Sequence, residues 1–214
     1  MSKKSIAILT ILIAIILDQV IKIYIKTHYV LGDGFEVFSW FKIHFVENNG
    51  MAMGFEFGGK SGKLFLTLFR IVAVAAIIYW LSGNIKRKVH NAVIIGISLI
   101  FSGAVGNIID SVFYGVIFDS SEHKVATLFA DKPYGELFYG KVVDMFYFPI
   151  WSGNLPEWIP FVGGDLFTFF QYIFNPADSY ITIGVAILFI FSKQAFPKED
   201  KKSDEKISES TTKI

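Results

Sequence analysis

Four aspartates stand where an apolar chain has little reason to carry charge: Asp18 in DQVIK, Asp110 in GNIID, Asp144 in GKVVDMF and Asp178 in FNPADSYITIG. Carboxylates are the chemistry left to this chain. It has no cysteine, which removes disulfides, thiolate nucleophiles and iron-sulfur ligation together. His28, His44, His90 and His123 show no metal-ligand spacing such as HxxxH, so no metal and no other cofactor is expected. Two carboxylates brought together cannot both ionise; they share a proton and can hold a water between them, one as base and one as acid. Such an arrangement hydrolyses peptide bonds.

Each acid also has a plainer reading. Asp18 and Lys22 are four apart, on one helix face with the acid first, and an ion pair that lets Lys22 snorkel to the outer surface accounts for them as well as a site does. Asn107 and Asp110 share a face at a helix end, where they can simply meet headgroups and water. Asn175, Pro176 and Asp178 suit the N-cap, N1 and N3 positions of a helix, with the carboxylate favoured by the helix dipole. Capping does not explain why polar groups from separate helices gather at one membrane level. Asp144 is flanked on both sides by apolar residues, which fits a β-type segment lying against helix ends rather than an exposed loop.

The elements that position these acids follow from composition. The chain is 53% hydrophobic, 17% aromatic and 18% charged, and its apolar residues come in long unbroken runs, so its solvent is lipid. Residues 5–25, 64–81, 89–109 and 177–196 approach the length that crosses a ~30 Å hydrocarbon core. Lys3 and Lys4 precede the first run, Lys86, Arg87 and Lys88 separate the second from the third, and Lys193, Lys198, Lys201 and Lys202 follow the fourth. The expectation is four transmembrane helices with both termini cytoplasmic, outer segments over 26–63 and 111–176, and one membrane domain over 1–197. Asp18 then lies about 13 residues into its helix, roughly 20 Å from the inner edge. The first run reads as an uncleaved helix, because it is long for a signal peptide and no small-residue cleavage site follows. Residues 198–214 are polar and charged without aromatics, and are expected to be a disordered cytoplasmic tail. The net charge of +1 and the lack of a basic patch with aromatics give no sign of nucleic-acid binding.

In the first outer segment, Val37, Ser39, Phe41, Ile43 and Phe45 alternate with Phe38, Trp40, Lys42 and His44, and Asn49-Gly50 is a turn signal, so a β-hairpin is expected there. Phe146, Tyr147, Phe148, Trp151, Trp158 and Phe161 suit an interfacial loop that anchors at the headgroups.

Taken in order, DQVIK, ENNGMAMGF, GNIID, VVDMF and FNPAD resemble the motifs of lipoprotein signal peptidase, the bacterial signal peptidase II family, over nearly the whole chain except the tail. The resemblance implies a membrane aspartic endopeptidase that removes signal peptides from prolipoproteins, cutting just before a lipid-modified cysteine. It implies a multi-pass protein of the bacterial inner (cytoplasmic) membrane, its site facing the periplasm or exterior beneath a small outer β-cradle. It assigns the catalytic pair to Asp144 and Asp178, and a substrate-binding or supporting place to Asp18, Lys22, Asn48, Gly50, Asn107, Asp110 and Asn175. Its partners would be lipid-modified prolipoproteins and membrane lipid, with cyclic peptide antibiotics of the globomycin type as inhibitors. The chain departs from the family pattern in three ways. Ser111 replaces the usual arginine after GNxxD, Met51 and Met53 are bulkier than the usual alanines of NxGAAF, and the spacers 111–141 and 147–173 are long.

Two rival classes remain, and the first of them, a small transporter or channel, also wants Asp and Asn at membrane depth. A small transporter would show inverted repeats and a polar path through the bilayer, and this chain shows neither. A non-catalytic assembly protein would need no acid pair, and alanine replacement of single acids separates it from an enzyme.

Overall fold

The computed structural model describes residues 1–50 and 59–196. Met51, Met53 and the tail 198–214 lie outside the described residues. Helix α1 spans Lys3–His28, begun by Ser2, whose hydroxyl accepts the Ser5 N–H at 3.0 Å. Helix α2 spans Gly59–Lys86 and α3 spans Asn91–Ile109, where His90 caps the N-terminus through the Ala92 N–H. Three helical stretches, Lys3–His28, Gly59–Lys86 and Asn91–Ile117, are long and apolar enough to cross a membrane. Only 11% of α2's apolar span is buried, and Ile8, Leu12, Ile16 and Val20 of α1 are exposed. Side chains of this kind turned outward over several turns need a hydrocarbon solvent.

Two elements differ from the sequence expectation. The third helix does not end at Ile109 but runs through a π-helical turn, Asp110–Tyr114, and a last turn α4, Gly115–Ile117. A π-turn shifts the side chains that follow it, and such turns are frequent at functional sites. The fourth apolar run forms α5, Pro176–Ile190, which breaks at Phe191 and resumes as α6, Ser192–Ala195. The fifteen residues of α5 reach only about 22 Å, short of a full crossing by themselves.

The segments between the helices build a four-stranded antiparallel sheet in the order β1 (Gly34–Phe38), β2 (Phe41–Asn48), β3 (Val142–Tyr147) and β6 (Ile173–Phe174). Strands β1 and β2 form a hairpin; the arm expected to follow the Asn49-Gly50 turn signal lies outside the described residues. The chain reverses at Ser39 and Trp40, where Trp40 stacks on Phe38 at 5.4 Å and on Phe148 at 6.0 Å. Aromatic stacking closes this turn without the glycine or asparagine that marks most two-residue loops. The reversal also splits the alternation of residues 37–45 between two strands. Strands β4 (Trp151–Asn154) and β5 (Leu166–Phe169) form a separate hairpin arm, on or near which Trp151, Trp158 and Phe161 are exposed.

Inserted residues 111–141 are docked by charge as well as by packing. Lys26, fully buried near the C-terminal end of α1, donates to Glu47 and, at 2.7 Å, to Ser121, and its ammonium lies 5.2 Å from the Phe118 ring and 5.0 Å from the Tyr134 ring. Around it Ile25, Phe45, Tyr114, Phe118, Val143 and Met145 make one apolar core. A second core, with Ala7, Leu81, Ile94, Ile97 and Leu188, lies at the other end of the helices.

Candidate active site

The start of α5 is an Asn-Pro-Ala-Asp capping box. Asn175 Oδ1 accepts the Asp178 N–H at 3.0 Å, and Asp178 Oδ2 accepts the Asn175 N–H at 3.3 Å. Both carboxylate position and helix start are therefore set by the same few residues. This end of α5 is pressed against α3, where a β-carbon at Gly103 would collide with the Ala177 carbonyl, so the small residue admits the close crossing.

Behind α5 lies a fully buried charge cluster. Lys22 Nζ is 3.1 Å from Asp18, 2.8 Å from Asp110 and 2.9 Å from Asn107 Oδ1. It does not snorkel; its side chain is 0% exposed. Asp18 also accepts the Ala177 N–H at 3.0 Å, an otherwise unpaired donor of the first α5 turn, and so holds the helix that carries Asp178. Asp110 accepts the Val143 N–H at 3.3 Å and Gln19 Nε2 at 3.0 Å, tying the π-turn to β3.

Asp144, on β3, takes two amide donors: Asn175 Nδ2 at 2.6 Å on Oδ1 and Asn48 Nδ2 on Oδ2. Asn107 Nδ2 donates to Asp178 at 2.9 Å, and its Oδ1 accepts from Asn175 at 3.1 Å. Asn175 thus touches both acids, by its side-chain amide on one and its backbone on the other. Asp144 and Asp178 line a single cavity of about 330 Å³ together with Asn48, Gly50, Arg70, Asn107, Tyr172 and Phe174. Asp18 and Asp110 do not line it.

The profile described as Signal peptidase (SPase) II matches residues 10–194. The chain belongs to the signal peptidase II family. It is 50% identical to the lipoprotein signal peptidase of Porphyromonas gingivalis over 182 residues, covering 84% of this chain and 79% of that one. Identity to the lipoprotein signal peptidase of Amoebophilus asiaticus is 36% over 192 residues, covering 86% and 75%. Among solved structures it is similar to a bacterial membrane enzyme determined by the in meso method, with a TM-score of 0.59, 28% identity, and coverage of 91% of this chain and 93% of that one. The protein is accordingly an aspartic peptidase of the signal peptidase II type, and its apolar helices agree with a place in the bacterial inner membrane.

Two polar residues of this signal peptidase II site escaped sequence reasoning. Gln19 bridges Asp18, Asp110 and Gly106 through its amide nitrogen and accepts from Tyr114 at 3.1 Å. Arg70 enters the cavity from α2. A charged residue amid a long apolar run was the available signal for Arg70; for Gln19 it was the neighbouring DQVIK acid. Ser111, at the position where the family pattern has arginine, donates to Asn107 O at 2.8 Å within its own helical stretch.

Proposed function

We propose that Asp144 and Asp178 act as an aspartate pair that hydrolyses the signal peptide of lipid-modified prolipoproteins. The observation that carries the reading is that these two acids line one cavity, while Asp18 and Asp110 are consumed by Lys22 and by backbone N–H groups. In the working state one acid is ionised and the other protonated. The ionised acid takes a proton from water as the water oxygen attacks the scissile carbonyl carbon, and the protonated acid donates to the developing oxyanion. The C–N bond then breaks as a proton passes to the leaving nitrogen. Asn48, Asn107 and Asn175 keep the carboxylates in place throughout.

Burial above all, and then the charge of Asp178, push the Asp144 carboxyl up to about 7, against the pull of the Asn175 and Asn48 amides and of Lys22. A raised acid keeps its proton below that pH and loses it above. Cleavage should therefore fall as pH rises through about 7, and the part of the folding stability linked to this proton falls in the same direction. Initial rates from about pH 5 to 9 check this, and a rate that keeps rising through that range contradicts it.

In this reading residues 1–197 form one membrane peptidase domain, α5 with α6 makes a fourth crossing, both ends are cytoplasmic, and the cavity opens to the outer face. The acyl chains of the substrate remain in lipid, and a globomycin-type cyclic peptide would occupy the same cavity. Right-side-out vesicles carrying the protein should cleave a diacylglyceryl-cysteine precursor peptide added outside, giving a product that mass spectrometry shows to begin at the modified cysteine. Equal cleavage of the unmodified peptide, or cleavage only in inverted vesicles, would overturn the proposal.

A further inference from the structure

Arg70 sits about eleven residues into α2, some 16 Å along a helix whose apolar span is only 11% buried. A guanidinium there is costly unless it does something. Its Nη2 donates to the Gly50 carbonyl. The Gly50 N–H donates to Asn48 Oδ1, and Asn48 Nδ2 donates to Asp144 Oδ2. These contacts form a chain from α2 to Asp144.

The order of the links matters because a side-chain amide has one accepting end and one donating end. With its oxygen held by Gly50, Asn48 can offer Asp144 only its N–H₂. If Gly50 shifts, the amide is free to flip and set oxygen against a carboxylate oxygen. Gly50 is therefore the point at which the amide is oriented, and Arg70 holds Gly50. Glycine is required twice over: its φ is +83°, and a β-carbon would lie 2.7 Å from Arg70 Nη1. Arg70 also lines the cavity together with Asp144 and Asp178, and is the cation among its described lining residues.

We propose that Arg70 is a positioning residue of the hydrolytic reaction, acting through the Gly50 carbonyl and the Asn48 amide to aim Asp144, and setting the charge balance of the cavity. The inference rests on the reading of Asp144 and Asp178 as the reacting pair. A residue that merely fastened α2 to the outer loop would lower the yield of folded protein and leave the turnover of what folds unchanged.

The test uses the full-length enzyme in detergent with a diacylglyceryl-cysteine precursor peptide, rates being normalised to folded protein. Arg70→Ala should lower kcat roughly 10- to 100-fold, with KM within about threefold, since misplacing a reacting group costs turnover. Removing a cation makes the acids hold protons more tightly, so the alkaline limb of the pH profile should move up by about half a unit or more. Arg70→Lys keeps the charge but not the fork, so it should return the limb and only part of kcat. In an Asn48→Ala background, Arg70→Ala should lower kcat no further, because the chain is already cut, while the alkaline limb should still move up. If Arg70→Ala does not fold, Gly50→Ala interrupts the same chain from the other side and should lower kcat by about tenfold or more. An Arg70→Ala kcat within about twofold of the parent, a change in KM alone, or independent losses from Arg70→Ala and Asn48→Ala each overturns the assignment. Asp144→Asn run beside them keeps the two readings apart: an active Asp144→Asn enzyme sinks the acid pair, whereas an inactive one with a fully active Arg70→Ala enzyme sinks only the role of Arg70.

Discussion

Lys22→Met is expected to leave little folded enzyme in the membrane. The ammonium is 2.8 Å from Asp110 and 3.1 Å from Asp18, with all three side chains 0% exposed. Removing one partner from a buried ion pair costs about 3–5 kcal/mol, because the remaining charge is stranded without water. Here two carboxylates are stranded, so the cost reaches a large share of the ~5–15 kcal/mol that stabilises a typical domain. Asp18→Asn should be milder, giving a partial loss of yield or activity, because an amide oxygen can still accept the Ala177 N–H and Lys22 keeps Asp110. The triple variant Lys22→Met, Asp18→Asn, Asp110→Asn removes every stranded charge and should recover much of the yield lost by Lys22→Met alone. Folded yield and melting temperature in detergent read these effects. Lys22→Met protein with the parent's yield and melting temperature would show that the cluster carries little of the fold's stability.

The features that could be read from the sequence are those whose cause is local. Long apolar runs announced α1, α2 and α3, and the Asn-Pro-Ala-Asp order announced the capped start of α5, because span length and cap chemistry depend on neighbours in the chain. The i, i+4 spacing likewise announced that Asp18 and Lys22 touch. It did not reveal that Lys22 points inward, since that choice belongs to Asp110 and Asn107, 85 or more residues away. The reversal at Ser39 and Trp40 was not legible for a related reason: stacking among Phe38, Trp40 and Phe148 accompanies it, and Phe148 comes from a distant strand edge. Helix α3 overran its expected end because Gly115 and Gly140 let the π-turn and its continuation pack against 135–140, with Gly140 N–H bonded to Ser111 O at 2.9 Å. Arg70 is the same case at the site itself: a lone arginine in an apolar run signals a function, but its partner is known only once Gly50 is placed beside it.

Asp144→Asn and Asp178→Asn should each insert normally and cleave nothing measurable, a loss of about a thousandfold or more. Each keeps the shape of the side chain and removes the ability to pass a proton between acid and base. Neither is held by a lysine ion pair, so neither loss strands a buried ammonium as Lys22→Met strands carboxylates. The double variant should be no slower than either single one, because residues that act as a unit lose their whole contribution at the first change. The most direct measurement of the central claim is product formation by purified Asp178→Asn enzyme, followed by mass spectrometry on a diacylglyceryl-cysteine precursor peptide with the parent enzyme alongside. The account predicts a peptide cut before the modified cysteine by the parent and uncut by the variant. A folded Asp178→Asn enzyme that cuts the same bond at near the parent rate would contradict it, and Asp178 would then be a helix cap and nothing more.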